Sequence, residues 1–462
     1  MSAKRQIVLG IVFLSGFSLQ AVDLPVFYRA PLFQAFHDQR KDWATRVAVR
    51  YAQGQTRSGW NGAEDKTSFL DIYGPLDITK LGLGLEYSDN APKTKEYWGS
   101  DTATLVKADN LEKLAENDGK LKLKGKLKVY DLSFTIKQSL FSGFYAQVYI
   151  PVRRVKIQGV SIENLGSKVL KDNAGKDFLN VDDFVAGKNG FADAGLPVVL
   201  KENGFSSFES FEKSIFKKTD IPSLLLSAGW QGEATESLGI IDSLRGFVQA
   251  GIIMPTSGRK NENELLALAS GYNDFWGFNF QASAEVSWWK LVLGAHAGVN
   301  VFLPSERTIR MSSDQAQAGW IRLGKGQAKV DQAALWNVSG YAKIHQILGG
   351  LSVLVGYSYV QQEDTDLLVK DDTFLKSVVQ TARAAAFPKF ISKEHIVKSD
   401  PRFKNWNQQS LHALLEYDAQ VHLKSWFAPV IRLEYAYPFI GKRSGAVDLF
   451  SGTLGFCATW NV

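Results

Sequence analysis

Two consecutive runs between Asp274 and Leu303 alternate apolar and polar positions. In the first, Trp276, Phe278, Phe280, Ala282, Ala284, Val286 and Trp288 share one parity, and Gly277, Asn279, Gln281, Ser283, Glu285 and Ser287 share the other. The second run inverts the parity: Trp289, Leu291, Leu293, Ala295, Ala297, Val299, Val301 and Leu303 stand against Lys290, Val292, Gly294, His296, Gly298, Asn300 and Phe302. A period of two is that of a strand with one apolar face. Thirteen residues at about 3.4 Å each, tilted near 40°, rise roughly 34 Å, more than the apolar band of about 25 Å that a strand crosses in an outer membrane.

Further runs of this kind fall at 44–54, 66–74, 79–88, 121–140, 143–157, 222–234, 243–255, 336–344, 351–359, 411–423, 427–439 and 450–460. Together they predict about fourteen strands, with twelve to sixteen open; Pro75 interrupts the pair at 66–88. The connections alternate. Those near 75–78, 141–142, 235–242, 288–289, 347–349 and 424–425 are short, whereas most of the others, such as 158–221 and 363–407, are long. Short turns on one side and long loops on the other are the asymmetry of an outer-membrane barrel, and an even strand number returns both chain ends to the periplasm. An open sheet of this size would leave two unpaired edges, which closure removes. The expected fold is therefore all-β, a transmembrane antiparallel up-and-down barrel. Trp276, Trp288, Trp289, Tyr357, Tyr359, Trp426, Phe427, Tyr437, Phe439 and Trp460 at strand ends fit interfacial girdles.

Composition constrains this reading without opposing it. Mean hydropathy is −0.12 and 22% of residues are charged, as expected when half of each strand faces away from lipid. No apolar run beyond residue 20 is long enough for a spanning helix. The N-terminus has Lys4 and Arg5, then an apolar stretch from Ile7 to Phe17, then small residues near Ala21. That is the layout of a secretory signal peptide over 1–21, followed by a short periplasmic segment at 22–43, a candidate plug, and the barrel at 44–462. Cys457 is the single cysteine, so no internal disulfide can form. The net charge of +6 is spread without a basic cluster interleaved with aromatics, which argues against nucleic acid.

The strand Gly246–Met254 leading into Pro255-Thr256-Ser257-Gly258 resembles the long-chain fatty acid transporter family of outer-membrane barrels. That resemblance implies uptake of hydrophobic substrates and an N-terminal hatch. The chain departs from the pattern in lacking an Asn-Pro-Ala tripeptide and in ending Trp460-Asn461-Val462 rather than on an aromatic residue.

By parity, Arg46, Arg50, Asp131, Lys137, Glu285, Lys290, His296, Lys343, His345, His412, Glu416, Asp418, His422, Arg432 and Glu434 are candidates to line the lumen. Both signs of charge occur, so neither anion nor cation preference follows. Residues four apart on a strand stand about 13 Å apart, too far to share one metal ion. Glu416 and Asp418, about 7 Å apart, have the separation of paired carboxylates without a positioned partner. Gly319–Gly326 lacks phosphate-loop spacing and reads as a turn in an external loop. A helix-like stretch at 372–386 could enter the mouth, and 104–117 and parts of 160–220 could hold external helices. The expectation is a channel for passive or facilitated diffusion of small solutes, with no catalytic residues, metal or cofactor. The alternatives are a hydrophobic-substrate transporter and a surface adhesion barrel acting through its loops. The expected partners are the outer-membrane bilayer, the outer-membrane assembly machinery and small solutes; oligomeric state is left open.

Overall fold

The computed structural model describes residues 43–78, 117–171, 177–188, 195–202, 205, 216–235, 241–269, 271–311, 319–322, 324–370, 400–419 and 427–459. The expected signal peptide, the segment 22–42, the run at 79–88, the stretch 104–116, the helix-like segment 372–386, His422, Trp426 and Trp460 lie outside these residues.

Twelve strands form the wall: β1 (Ala44–Thr56), β2 (Lys120–Ser139), β3 (Phe144–Asn164), β4 (Ser223–Ala234), β5 (Ser243–Pro255), β6 (Gly277–Trp288), β7 (Leu291–Phe302), β8 (Leu335–Leu348), β9 (Leu351–Gln362), β10 (Trp406–Asp418), β11 (Phe427–Lys442) and β12 (Asp448–Thr459). Each pairs antiparallel with its sequence neighbours, and β12 returns to β1 with Thr459 opposite Ala44, so the ring has no edge. Two short strands, Leu76–Asp77 and Phe216–Asp220, join the sheet by pairing with β2 and β3. The Phe216–Asp220 strand and β4 meet β3 in succession, and Ile221-Pro222 breaks the ladder between them, as a residue without an N–H must.

The count of fourteen is corrected to twelve. Strand β1 pairs directly with β2, Thr45 opposite Gln138 through Thr56 opposite Leu127, so the ring closes without a wall strand from residues 57–119. The run at 66–74 is instead a short strand at Lys66–Ser68, a single helical turn at Phe69–Asp71 and a bend. Phe69, Leu70, Ile72 and Tyr73 are all buried; a segment enclosed on every side has no polar face to show. At 411–423, the strand begins at Trp406 and ends at Asp418, whose amide donates to the Gly350 carbonyl at 3.0 Å. Short helices at Val181–Ala186 and Leu196–Glu202 occur within the 160–220 stretch.

Across the wall, apolar and polar faces sort as the period predicts. Val47, Phe134, Ile136, Val248, Phe280, Leu293, Val338, Val355, Leu411, Ile431 and Leu454 are exposed on the outside, while Asp131, Gln249, Asn279, Glu285, Asn337, Lys343 and Glu416 are buried on the inside. An apolar belt of this extent in water would be a large liability, and in hydrocarbon it is stabilising. Trp288 and Trp289 stand exposed at the short-turn end, and Trp276, Tyr357 and Tyr437 at the other. A closed antiparallel ring, an outward apolar belt, aromatic rims and long loops on one side make this an outer-membrane β-barrel.

The inner face changes character toward the long-loop end. Leu121, Leu123, Leu127 and Val129 of β2 keep the inward parity of Asp131 and Ser133, yet they are apolar. They join a continuous core with Val155 and Ile157 of β3, Ile253 of β5, Phe302 of β7, Leu335 of β8, Val360 of β9 and Trp406 of β10. Loop residues Phe69, Ile72, Leu76, Phe184, Leu266, Phe275, Trp320 and Ile321 belong to the same core. Because the inner faces of so many strands meet one core, the outer mouth is filled by folded loops.

Candidate lumen and its outer closure

Below that core the inner wall is built from paired polar side chains. Glu416 on β10 accepts from Lys343 Nζ on β8 at 2.8 Å and from Arg432 Nε on β11 at 2.6 Å. Glu434 on β11 lies 3.4 Å from Arg50 Nη2 on β1 and 3.3 Å from His412 Nδ1 on β10, and the other ring nitrogen of His412 is 2.8 Å from Ser358 Oγ. Asp131 on β2 accepts from Arg153 Nε on β3 at 2.7 Å. Lys137 Nζ donates to Gln231 on β4 at 2.6 Å and sits 4.1 Å from the centre of the Tyr145 ring. These bonds join strands that are adjacent or one apart round the ring, so they brace the wall along its circumference.

Two tyrosines extend this bracing by lying over glycines. Tyr341 of β8 covers Gly294 of β7, where a Cβ would collide with the ring, and its hydroxyl donates to Glu285 of β6. Tyr145 of β3 covers Gly229 of β4, and its hydroxyl donates to Gln249 of β5 at 3.1 Å. In each case a side chain on the intervening strand would block the reach, which accounts for glycine there.

Other candidates occupy different positions. Arg46 is half-buried on the inner face of β1. His296 is buried beside Phe247, with ring centres 6.0 Å apart. His345, near the short-turn end, has Nδ1 3.1 Å from Ser352 Oγ. Lys290 lies in the two-residue turn between β6 and β7, its ammonium 5.5 Å from the centre of the exposed Trp289 ring. Asp418 ends β10 as a buried residue. Glu416 and Asp418 do not act as an isolated carboxylate pair, because Glu416 is committed to two cations. No group of three or more His, Cys, Asp or Glu that could hold a metal ion occurs among the described residues.

The closure at the outer mouth rests on residues that the sequence pattern did not single out. Gly319–Gly326, expected as a turn, carries Trp320, Ile321 and Arg322 into the core, and Arg322 is fully buried. Asp400 accepts from Arg322 Nη2 and Nε at 3.2 Å each and from Arg402 Nη2 at 2.8 Å. Both guanidiniums also reach main-chain carbonyls: Arg322 Nη1 donates to Gly319 and Ile321 at 2.9 and 3.0 Å, and Arg402 Nη2 to Arg310 at 2.6 Å. Burial alone would raise the Asp400 carboxyl, but the two guanidiniums outweigh it and hold the group well below the usual carboxylate range. Burial brings Arg310 down to about 10, and its guanidinium carbon lies 3.6 Å from the centre of the Phe205 ring. The local signal was Asp400 before Pro401, a cap ahead of a helical turn; nothing in the spacing links it to Arg322.

No protein-family model matches this sequence, and no curated protein matches it. Among solved structures similar to it is an outer membrane channel from Pseudomonas putida F1, 8% identical, covering 92% of this chain and 98% of that chain with a TM-score of 0.44. The TodX monoaromatic hydrocarbon channel, as its deltaS2 mutant, is 9% identical over 91% of each chain with a TM-score of 0.33. A Pseudomonas aeruginosa FadL homologue is 10% identical over 91% of each chain with a TM-score of 0.26.

Proposed function

We propose that this barrel is an outer-membrane channel for passive or facilitated diffusion of small solutes, acting without covalent chemistry and closed at its outer mouth by folded loops. The observation that carries the reading is the inner wall, where charged side chains pair along the circumference. A twelve-strand ring with about 4.8 Å between strands and a tilt near 40° has a backbone diameter of roughly 24 Å. Side chains reaching about 6 Å inward from each wall would leave a bore on the order of 10 Å. Packing is tight beside β8 to β10, where Lys343, Glu416 and Leu354 are almost inaccessible to water. Arg50, Arg153, Arg245 and Arg432 keep partial water contact, which favours a path along their side of the lumen.

Purified protein in planar bilayers tests the reading. Stepwise conductance is expected, with long closed intervals set by the loop core. Repeated insertion, verified by heat-modifiable gel migration, without any conductance would overturn it. A second reading, passage of hydrophobic solutes, is favoured by Phe275, Phe302 and Trp406 in the outer core. Comparing the flux of an apolar and a polar solute of equal size into proteoliposomes separates the two.

A further inference from the structure

Strands β2 and β3 are the longest in the wall and run past the apolar belt on the long-loop side. There β2 reads Lys120-Leu-Lys-Leu-Lys-Gly-Lys-Leu-Lys128, with leucines turned into the loop core and lysines turned outward. Arg154 and Lys156 of β3 and Lys217 of the Phe216–Asp220 strand continue this outward basic face. The register sets Lys128 opposite Lys156 and Lys156 opposite Lys217, and in the next row Tyr130 opposite Arg154. Like charges placed directly opposite one another on a sheet are destabilising unless an anion lies among them.

The described residues supply little of that anion. Lys122 lies 3.8 Å from Asp71, Lys124 pairs with Glu163 at 2.9 Å and Lys218 with Asp220 at 3.0 Å. Among the described residues no carboxylate forms an ion pair with Lys126, Lys128, Arg154, Lys156 or Lys217.

Height identifies the partner. Arg154 is ten residues along β3 from Phe144 at the short-turn rim, which at about 3.3 Å per residue and a tilt near 40° is roughly 25 Å, the height of the apolar band. Directly beneath it, Val148, Ile150 and Val152 of β3 and Leu132, Phe134 and Ile136 of β2 face outward. The cations therefore stand at the headgroup level of the outer leaflet. Elsewhere that rim carries neutral groups such as Tyr357, Gln409 and Tyr437, and the acidic Asp448 of β12 two strands from Lys128 in the same row. Strands about 4.8 Å apart, with same-face neighbours about 7 Å apart along each strand, let two or three ammonium groups share one phosphate.

We propose that the outward face formed by Lys128, Lys156, Lys217, Arg154 and Lys126 binds the phosphate groups of a phosphorylated, acylated saccharolipid of the outer leaflet. The proposal needs only the barrel's place in the membrane, so it stands or falls apart from conductance. The test uses the full chain in detergent micelles with bisphosphorylated lipid A as probe and native mass spectrometry as readout. Binding is expected for the wild type and for a control carrying Lys188→Glu, Lys201→Glu and Lys329→Glu. Lys128→Glu with Lys156→Glu and Lys217→Glu should weaken it roughly 100-fold while heat-modifiable migration stays unchanged. The same lipid stripped of phosphate should bind weakly. Equal binding by both triple variants, equal binding of the dephosphorylated lipid, or full displacement by low-millimolar inorganic phosphate, which would mark a free-anion site, would overturn the proposal.

Discussion

Replacing Asp400 with Asn removes the charge from the outer closure while keeping its shape. The carboxylate joins Arg322 and Arg402 at 2.8 to 3.2 Å, and the Arg322 and Asp400 side chains are both 0% exposed. Removing one partner of a buried ion pair costs about 3–5 kcal/mol because the remaining charge is left buried and unpaired. Here the main-chain carbonyls of Gly319, Ile321 and Arg310 still accept from the two guanidiniums, and the Asn side chain can still cap the Arg402 amide, now 3.0 Å from Asp400 Oδ1. The lower end applies, about 3 kcal/mol, or roughly a 150-fold shift in the opening equilibrium of the loop core. The cost falls on loops outside the ring ladder, so heat-modifiable migration should not change. Limited proteolysis of the outer loops should accelerate by about two orders of magnitude, and open probability in planar bilayers should rise with it. The triple substitution Arg322→Met, Asp400→Leu and Arg402→Met should restore closure, since well-packed apolar substitutes for buried charges are often neutral or better. Proteolysis and open probability of Asp400→Asn within threefold of wild type would refute the reasoning.

The wall and the closure can be probed separately. Phe134→Arg places a cation on the outward belt and should cost about 2–4 kcal/mol in a bilayer, against little for Lys126→Glu above the belt; reversible denaturant titration in lipid vesicles measures both. Tyr341→Phe leaves the buried Glu285 without the hydroxyl that donates to it and should lower stability by about 1–3 kcal/mol, read from the temperature at which gel mobility shifts. The Asp400 carboxyl is held below its unfolded value, so its contribution is complete above about pH 5 and declines only as pH falls below about 4. Closure measured as open probability should therefore be constant from pH 8 to pH 5 and weaken below pH 4; opening between pH 8 and pH 5 would show that another group controls it.

The ring was legible wherever one face of a strand meets lipid and the other meets polar side chains. The β6–β7 hairpin is the clearest instance, with Trp276 to Val301 alternating about a two-residue turn and broken only at Val292. Legibility failed where lipid is absent. Phe69, Leu70, Ile72 and Tyr73 lie in a core closed on all sides, and their density of apolar residues reads as a strand only if a membrane is assumed. On β2 the inversion was visible in principle, since one parity runs Leu121, Leu123, Leu127 and Val129 before Asp131 and Ser133. That switch marks where the outer face leaves hydrocarbon and the inner face enters the loop core. Parity alone nominated the lumen candidates, Lys290 of the β6–β7 turn among them, and it said nothing of how they pair. Lys343 meets Glu416 across β9, and Tyr341 reaches Glu285 across Gly294, through register that local pattern does not fix. The Arg322–Asp400 contact joins two loops and has no periodic signature.

If solutes pass along the inner face of a twelve-strand ring, thiol-reagent block of single-channel current tests that passage most directly. In a Cys457→Ser background, cysteine replaces Thr453 or Thr135, both half-buried on the inner wall on the side of Arg50, Arg153 and Arg432, or Val355 or Val338, both exposed on the outer wall. A charged methanethiosulfonate should lower current through the Thr453 and Thr135 variants and leave the Val355 and Val338 variants unchanged. Current unaffected at both inner positions, or reduced equally at inner and outer positions, would contradict passage through the ring.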